Sequence, residues 1–254
     1  MPEYTLSEEW LADDLPSLTV ARADAPADAP LVVVLHPLGS RKEKMLPGLL
    51  ALARAGCRAV AIDARLHGER PDAEGREARL QADFFGTSSE MVEGTARDVS
   101  RLLDTLGAGR AAVHGISLGG YIAFTALLSE PRLKAASVAI GSPDWAAPMR
   151  ALGLGPGNPF YDRAVSSSPL ALLPAVLPPR PLLMQHGTLD ETVSVDGVIA
   201  LEKALRPLYA AMPERLHLEL YPGLGHVYPD EMEQRAVEWI TRFMGVGGEE
   251  EKRP

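Results

Sequence analysis

The pentapeptide Gly-Ile-Ser-Leu-Gly at residues 115–119 constrains the fold of this 254-residue chain more than any other feature. It follows a short apolar run at 111–113 and precedes a helix-like run at 120–128. This pattern predicts a strand, a sharp turn and a helix, with Ser117 at the apex of the turn. Glycines are required on both sides because side chains there would collide with the neighbouring strand and helix. We therefore expect the serine hydroxyl to project above the edge of a sheet.

A serine in such a turn becomes a nucleophile when a base takes its proton and an acid orients the base. Two downstream residues have the right chemistry. Asp190 follows the apolar run at 181–184, and His226 follows the strand-like run at 216–221. Functional groups of parallel α/β sheets gather outside the carboxyl ends of the strands. The sequence therefore predicts that Ser117, Asp190 and His226 meet there.

Each of these residues also has an ordinary structural explanation. The serine could lie in a glycine-rich turn of any α/β protein, and Asp190 could cap a turn or a helix. His226 could be a loop histidine bonded to the backbone. Glu191 is a rival acid, but adjacent residues point in different directions, so we expect only one of the two to face the base. The order of the three residue types, each after a strand-like run, favours the catalytic interpretation.

Charge and cysteine content exclude several classes of protein. The net charge of −9 argues against nucleic-acid binding and against anionic membrane surfaces, since both need clustered Lys and Arg. The single cysteine, Cys57, allows no intrachain disulfide and is interpreted as a packing residue. The polar, acidic N-terminal segment does not resemble a signal peptide, and no apolar run approaches about 18 residues. A cytoplasmic location is the default expectation.

Strand-like and helix-like runs alternate along most of the chain. The continuous apolar run at 31–35 is typical of a buried parallel strand, and an apolar stripe at 90–106 predicts an amphipathic helix. We predict an α/β fold with a mostly parallel central sheet and helices on both faces. One domain is expected over residues 1–245, with 142–180 as an excursion over the active-site edge. Residues 246–254 are predicted to be a disordered tail.

Several motifs resemble those of the α/β-hydrolase superfamily over about residues 28–244. Besides the serine turn, they are His36-Pro37-Leu38-Gly39-Ser40, the segment from Asp63 to Arg70, His186-Gly187 with Asp190, and Gly225-His226. The chain is most similar to small bacterial carboxylesterases of the dienelactone hydrolase and prolyl-oligopeptidase-like branch. This resemblance implies an α/β-hydrolase fold, with Ser117 as nucleophile, His226 as base and Asp190 as orienting acid.

Two departures from the family pattern refine this expectation. Dienelactone hydrolases proper carry a cysteine where this chain has Ser117, so we do not expect their substrate. Pro37 replaces the usual glycine in the loop that supports the oxyanion, and proline has no N–H. The donor position in the family is the next residue, so the resemblance implies the backbone N–H of Leu38 as one donor of the oxyanion hole. The other expected donor is the N–H of Leu118, which follows the nucleophile and begins a helix.

Aromatic and apolar residues outside the motifs are candidates for the wall of an acyl pocket. They are Phe84, Phe85, Trp145, Met149 and Phe160. The alternative is that these side chains belong to the ordinary core. A small, enclosed pocket would favour short acyl chains.

Four further histidines, namely His36, His67, His114 and His186, could suggest a metal site. They follow different strands and lack a ligand-type spacing such as H-E-x-x-H. Hydrogen bonding within loops is therefore favoured over metal binding.

The sequence leads to the hypothesis of a serine carboxylesterase that hydrolyses small, short-acyl esters through an acyl-enzyme. We expect no metal and no organic cofactor, a small-molecule ester as the partner, and neither nucleic acid nor membrane. Thioesterase, sugar deacetylase and small-peptide hydrolase are alternatives that would use the same three residues. A non-catalytic α/β-hydrolase-like binding protein is an alternative from another class. The residues do not determine the oligomeric state.

Overall fold

An eight-stranded sheet forms the centre of the computed structural model, which describes residues 3–246. The strands are β1 (Tyr4–Leu11), β2 (Leu15–Arg22), β3 (Leu31–Leu35), β4 (Arg58–Ile62), β5 (Ala111–Ile116), β6 (Leu133–Ala139), β7 (Leu182–Gly187) and β8 (Leu216–Tyr221). The helices are α1 (Leu46–Arg54), α2 (Arg76–Ala82), α3 (Phe84–Thr105), α4 (Leu118–Ser129), α5 (Ala147–Ala151), α6 (Pro159–Ser167), α7 (Pro169–Val176), α8 (Asp196–Leu205) and α9 (Asp230–Met244).

The strands lie in the order β1-β2-β4-β3-β5-β6-β7-β8. Strands β1 and β2 form an antiparallel hairpin at one edge, and β2 is antiparallel to β4. From β4 to β8 every neighbouring pair is parallel. The predicted α/β fold with a mostly parallel sheet is therefore confirmed.

Helices cover both faces of the sheet because the central strands are apolar on both sides. All five residues of β3 are buried. Val33 packs into a cluster with residues of α3, α4, α7 and α8, whereas Val32 and Val34 pack into a second cluster with α1 and α9. This two-sided burial explains the unbroken apolar run of the strand.

Two regions contain more helix than the sequence pattern predicts. Helix α3 begins at Phe84, not near residue 90, because the Asp83 carboxylate accepts the Gly86 N–H at 2.9 Å and caps the helix. Residues 142–180 contain the three short helices α5, α6 and α7. This segment is therefore an ordered helical insertion between β6 and β7.

The end of the chain is described only in part. Val246 packs partly buried against the cluster formed by α1 and α9. The rest of the predicted tail, residues 247–254, lies outside the described residues. In the described part of the chain, no helix combines the length and apolar character needed to cross a bilayer.

The turn between β5 and α4 is closed by main-chain contacts on both sides. A Cβ atom added to Gly115 would lie 2.1 Å from the carbonyl oxygen of Gly119. One added to Gly119 would lie 2.1 Å from the carbonyl oxygen of Leu35, at the end of β3. Neither neighbour is a flexible side chain that could move away, so both positions require glycine.

Replacing Gly119 with alanine tests this steric requirement. We expect Gly119→Ala to lower the free energy of unfolding by about 1–3 kcal/mol, the usual cost of overpacking, because β3 and α4 must separate to admit the methyl group. Urea denaturation followed by circular dichroism measures the change. Gly109→Ala is the matched control, since nothing lies within 4 Å of its added Cβ. Equal stability of the two variants would contradict the steric argument.

Candidate active site

Ser117 lies at the apex of the turn in a backbone conformation that non-glycine residues rarely adopt, with φ +54° and ψ −113°. Its N–H donates to the carbonyl of Ala139 on β6 at 2.9 Å, and its carbonyl accepts the N–H of Gly120 at 2.8 Å. These bonds fix the turn from both sides. The strained residue is held in place by its surroundings, as is common where a side chain must be presented for a function.

The structure brings Ser117, His226 and Asp190 into one hydrogen-bonded chain. Ser117 Oγ lies 2.9 Å from His226 Nε2, and His226 Nδ1 lies 2.7 Å from Asp190 Oδ2. With Nδ1 as the donor to the carboxylate, Nε2 is free to accept the serine hydroxyl proton. The three side chains are therefore arranged as a nucleophile, a base and an orienting acid would be.

The carboxylate of Asp190 is buried and hydrogen-bonded through both of its oxygens. Oδ1 accepts the N–H groups of Thr192 at 3.0 Å and Val193 at 2.8 Å. Burial alone would raise the pKa of Asp190, but these hydrogen bonds and the one from His226 outweigh it, so the pKa lies below its ordinary value. The group remains an anion at neutral pH. The rival acid Glu191 is exposed to solvent, and the side chain that faces His226 is that of Asp190.

Main-chain contacts lock the loop that carries Asp190 to the loop that carries His226. The Leu189 N–H donates to the Leu224 carbonyl at 2.9 Å, and the Gly223 N–H donates to the Thr188 hydroxyl at 2.9 Å. A Cβ on Gly187 would lie 2.3 Å from the Leu224 carbonyl oxygen, so glycine is needed where the two loops cross. Asp190 and His226 are thus positioned by the backbone.

The two residues expected to stabilise an oxyanion lie at the same edge of the sheet. Leu118 is the first residue of α4, where backbone N–H groups have no acceptor within the helix. Leu38 lies in the exposed turn that follows β3, and 53% of the residue is exposed. Leu35 pairs with Gly115 on the adjacent strand, so both turns leave the sheet side by side.

Two buried histidines fix the loop that contains Leu38. His36 donates from Nδ1 to the Pro37 carbonyl at 2.8 Å and accepts the Ala64 N–H at Nε2. His67 accepts the Gly39 N–H at 3.1 Å. Burial lowers the pKa of both imidazoles to about 4, so they are neutral and keep one acceptor nitrogen each. The predicted role of these histidines in loop hydrogen bonding is confirmed, and the Pro37 carbonyl takes part in it.

A buried lysine, which was not predicted from the sequence, lies directly after the same loop and is bonded to Asp63, directly after β4. Lys42 has no exposed side-chain surface, and its ammonium group lies 3.6 Å from the buried carboxylate of Asp63. Asp63 in turn accepts the N–H groups of Lys42 and Glu69. Burial disfavours the charge of Lys42, but the hydrogen bonds that its ammonium group donates to the surrounding carboxylates outweigh this and raise its pKa. The only sequence signal was the position of Lys42 just after the loop.

Three carboxylates converge around this ammonium group and are the one cluster in the described residues that could hold a metal ion. They belong to Glu8, Glu43 and Glu69. The Lys42 Nζ lies 3.0, 2.6 and 2.5 Å from their respective oxygens. The lysine already supplies the positive charge that a metal would bring.

Three of the five predicted pocket residues pack together. Phe85, Trp145 and Met149 belong to one small apolar cluster formed mainly by the 142–180 insertion. Phe84 stacks edge-on against Phe85 and is half exposed. Phe160 lies apart from the cluster, with 67% of its surface exposed.

The other histidines also bind main-chain or side-chain partners. His114 lies 3.2 Å from the Ser137 carbonyl through Nδ1 and accepts the Tyr228 hydroxyl at 2.9 Å through Nε2. Tyr228 lies in the loop that carries His226, so this bond anchors that loop to β5. His186 is buried beside Asp190 and contacts the Val193 carbonyl at 2.9 Å.

The buried imidazoles predict that the protein loses stability in mild acid. His36, His67 and His114 have pKa values near 4 in the folded chain, below the unfolded value of about 6.5. Between these values the unfolded chain binds more protons. Stability is therefore full above about pH 6.5 and falls as the pH drops toward 4, by up to about 1.4 kcal/mol per pH unit for each imidazole.

Urea denaturation at pH 7, 5.5 and 4.5 measures this slope. Because carboxylates also contribute in acid, the informative quantity is the difference between variants. We expect His67→Gln to remove about a third of the combined contribution of His36, His67 and His114. His217→Gln, on the partly exposed strand β8, serves as the control for loss of a histidine. Parallel pH profiles for wild type and His67→Gln would contradict the assignment.

Comparison with known proteins agrees with this architecture. The family described as alpha/beta hydrolase fold matches residues 30–164, just over half of the chain. YitV of Bacillus subtilis, named as a candidate esterase, is 26% identical over 229 residues, which cover 85% of this chain and 89% of YitV. The structure of TT1662 from Thermus thermophilus is 25% identical, with a TM-score of 0.74 and coverage of 95% of this chain and 98% of that one.

A Klebsiella pneumoniae structure, described as that of a candidate dienelactone hydrolase, is similar in fold. Its TM-score is 0.68 at 18% identity, and the match covers 95% of this chain and 98% of that one. The family match agrees with the sequence motifs and with the parallel sheet. This chain belongs to the α/β-hydrolase fold family.

Proposed function

We propose that this protein is a serine hydrolase of small carboxylic esters. Ser117 is the nucleophile, His226 the general base and Asp190 the orienting acid. The observation that carries this proposal is the unbroken chain of hydrogen bonds, at 2.9 and 2.7 Å, from the hydroxyl through the imidazole to a buried carboxylate. The similarity to YitV, whose name is that of a candidate esterase, supports the same class of reaction.

The reaction begins when Ser117 Oγ attacks the ester carbonyl while His226 Nε2 takes the hydroxyl proton. Asp190 holds the imidazole with Nδ1–H toward the carboxylate and stabilises the imidazolium that forms. The imidazolium then gives its proton to the departing alcohol oxygen, which leaves an acyl-enzyme on Ser117. Water, activated by the same imidazole, hydrolyses the acyl-enzyme and restores the serine.

The negative charge on the carbonyl oxygen requires hydrogen-bond donors in the transition state. We assign this role to the N–H groups of Leu118 and Leu38. The first is favoured because it begins α4, where the helix dipole stabilises an anion. The second is favoured because the neutral histidines His36 and His67 hold its loop beside the serine turn.

The acyl group is proposed to lie against Phe85, Trp145 and Met149. The insertion that carries two of these residues leaves the sheet beside the serine turn, since a Cβ on Gly120 would lie 2.9 Å from Gly141 Cα. These bulky side chains already pack against one another, so we expect them to leave room for only a short acyl chain. Short-acyl esters are therefore the favoured substrates. Thioesters, acetylated sugars and small peptides are the alternatives that a substrate panel distinguishes.

Removing the serine hydroxyl tests the nucleophile. We expect Ser117→Ala to lower kcat/KM for p-nitrophenyl acetate by about 10⁴-fold or more, because the residual site offers only binding and oxyanion donors. The same substitution should abolish covalent labelling by a fluorophosphonate probe. Ser166→Ala, on the exposed surface of α6, is the control and should retain both ester hydrolysis and probe labelling. Labelling that persists in Ser117→Ala would refute the assignment of the nucleophile.

An acyl-length series tests the pocket. With p-nitrophenyl esters from acetate to octanoate, we expect kcat/KM to be highest for the shortest chains and at least about tenfold lower for octanoate, the size of effect that excess methylenes have in a closed apolar pocket. Met149→Ala should raise the octanoate-to-acetate ratio by enlarging that pocket. A wild-type preference for octanoate would contradict the short-acyl proposal while leaving the triad intact.

A further inference from the structure

A second imidazole contacts the carboxylate that orients the base. His186 is the next-to-last residue of β7 and has no exposed side-chain surface. Its Nε2 lies 3.2 Å from Asp190 Oδ2 and 2.9 Å from the Val193 carbonyl oxygen. Both neighbours are acceptors, so Nε2 must carry a proton, which it donates to the Val193 carbonyl beside the carboxylate. The Asp190 oxygen that binds His226 therefore also lies next to a second imidazole N–H group.

The protonation state of His186 follows from its surroundings. Burial lowers the pKa of this imidazole, which keeps it neutral at physiological pH. Its other ring nitrogen, Nδ1, is buried and has no hydrogen-bond partner among the described residues. A neutral imidazole with its single proton on Nε2 can donate to the Val193 carbonyl and present its N–H to the carboxylate. In this form the only unpaired ring atom is Nδ1, a hydrogen-bond acceptor.

Hydrogen bonds and the His186 contact hold both oxygens of the Asp190 carboxylate. Oδ1 accepts two backbone N–H groups, from Thr192 and Val193, and Oδ2 accepts the His226 N–H and lies 3.2 Å from His186 Nε2. Val193 links the two residues, since its N–H binds Asp190 and its carbonyl accepts the His186 N–H. Rotation of the carboxylate about its own axis would break several bonds at once, so the oxygen that faces His226 is held in one orientation.

We propose that His186 is a positioning residue, which fixes the Asp190 carboxylate and through it the imidazole of His226. This inference rests on the proposed function, because it names a further member of the same site. The spacing His-Gly-x-x-Asp places the two residues at i and i+4 across the turn after β7. The end of β7 therefore carries both Asp190, in the loop that follows, and the histidine that contacts it.

Two substitutions separate the donated proton from the volume of the ring. His186→Leu keeps an apolar side chain of similar size but removes the donor, whereas His186→Gln keeps an N–H at about the same reach. We expect His186→Leu to lower kcat by about 10- to 100-fold, as loss of supporting hydrogen bonds around a site commonly does, with KM changed less than about twofold. His186→Gln should recover activity to within about threefold of wild type.

Gln185→Leu is the matched control for general damage to the strand. Gln185 is the adjacent residue on β7, is equally buried, and donates to the Met232 carbonyl and accepts the Tyr221 hydroxyl away from Asp190. Its removal should cost stability without the selective loss of kcat. Loss of activity in Gln185→Leu equal to that in His186→Leu would show that the effect is only structural and would overturn the proposal.

Proton NMR of the free protein provides a readout that does not depend on the substrate. The His226 Nδ1–H bonded to Asp190 should give a resonance far downfield, which shifts or broadens in His186→Leu and is retained in His186→Gln. If wild type hydrolyses no ester but this pattern is found, the proposed function fails and the positioning role stands. If wild type is active and His186→Leu changes neither kcat nor the resonance, the positioning role fails and the proposed function stands.

Discussion

The contact between Gly119 and the carbonyl oxygen of Leu35 is the constraint on which the site depends. Helix α4 can begin against the end of β3 only because residue 119 has no side chain, since a Cβ would lie 2.1 Å from that oxygen. The contact brings the serine turn and the loop after β3 together, although they are distant in the chain. It also holds Ser117 in its positive-φ conformation, because the strand and helix beside it leave no room for relaxation.

A second set of main-chain contacts brings Asp190 and His226 to that serine. The loops after β7 and β8 are bonded to each other through Leu189 and Leu224, and Gly187 leaves room for their crossing. The meeting of Ser117, Asp190 and His226 could be predicted from the sequence because it follows from two general rules. A tight turn needs glycines at fixed positions, and the carboxyl ends of parallel strands share one edge.

Features that depend on packing between distant segments could not be predicted in this way. The residues before 90 are mostly polar and do not predict a helix, although α3 begins at Phe84. Its first turns depend on the Asp83 cap and on contacts of Phe85 with the 142–180 insertion. Lys42 is a charged residue that the sequence alone would place on the surface. It is buried because carboxylates from three other segments surround its ammonium group. Such placements result from tertiary contacts that override local propensity, which is weak in short helices and loops.

The partners of the histidines distinguish His226 from the buried imidazoles. His36, His67 and His114 each place Nδ1 against a neutral main-chain carbonyl in a buried environment, and their pKa values are lowered to about 4. A proton added to such a ring would be a buried charge without a counterion. The Nδ1 of His226 instead faces the anionic carboxylate of Asp190, and its ring is partly exposed. A proton on the His226 ring would therefore face a carboxylate, whereas a proton on any of those three rings would face a carbonyl. The partner of Nδ1 is thus what distinguishes the proposed base from the other imidazoles.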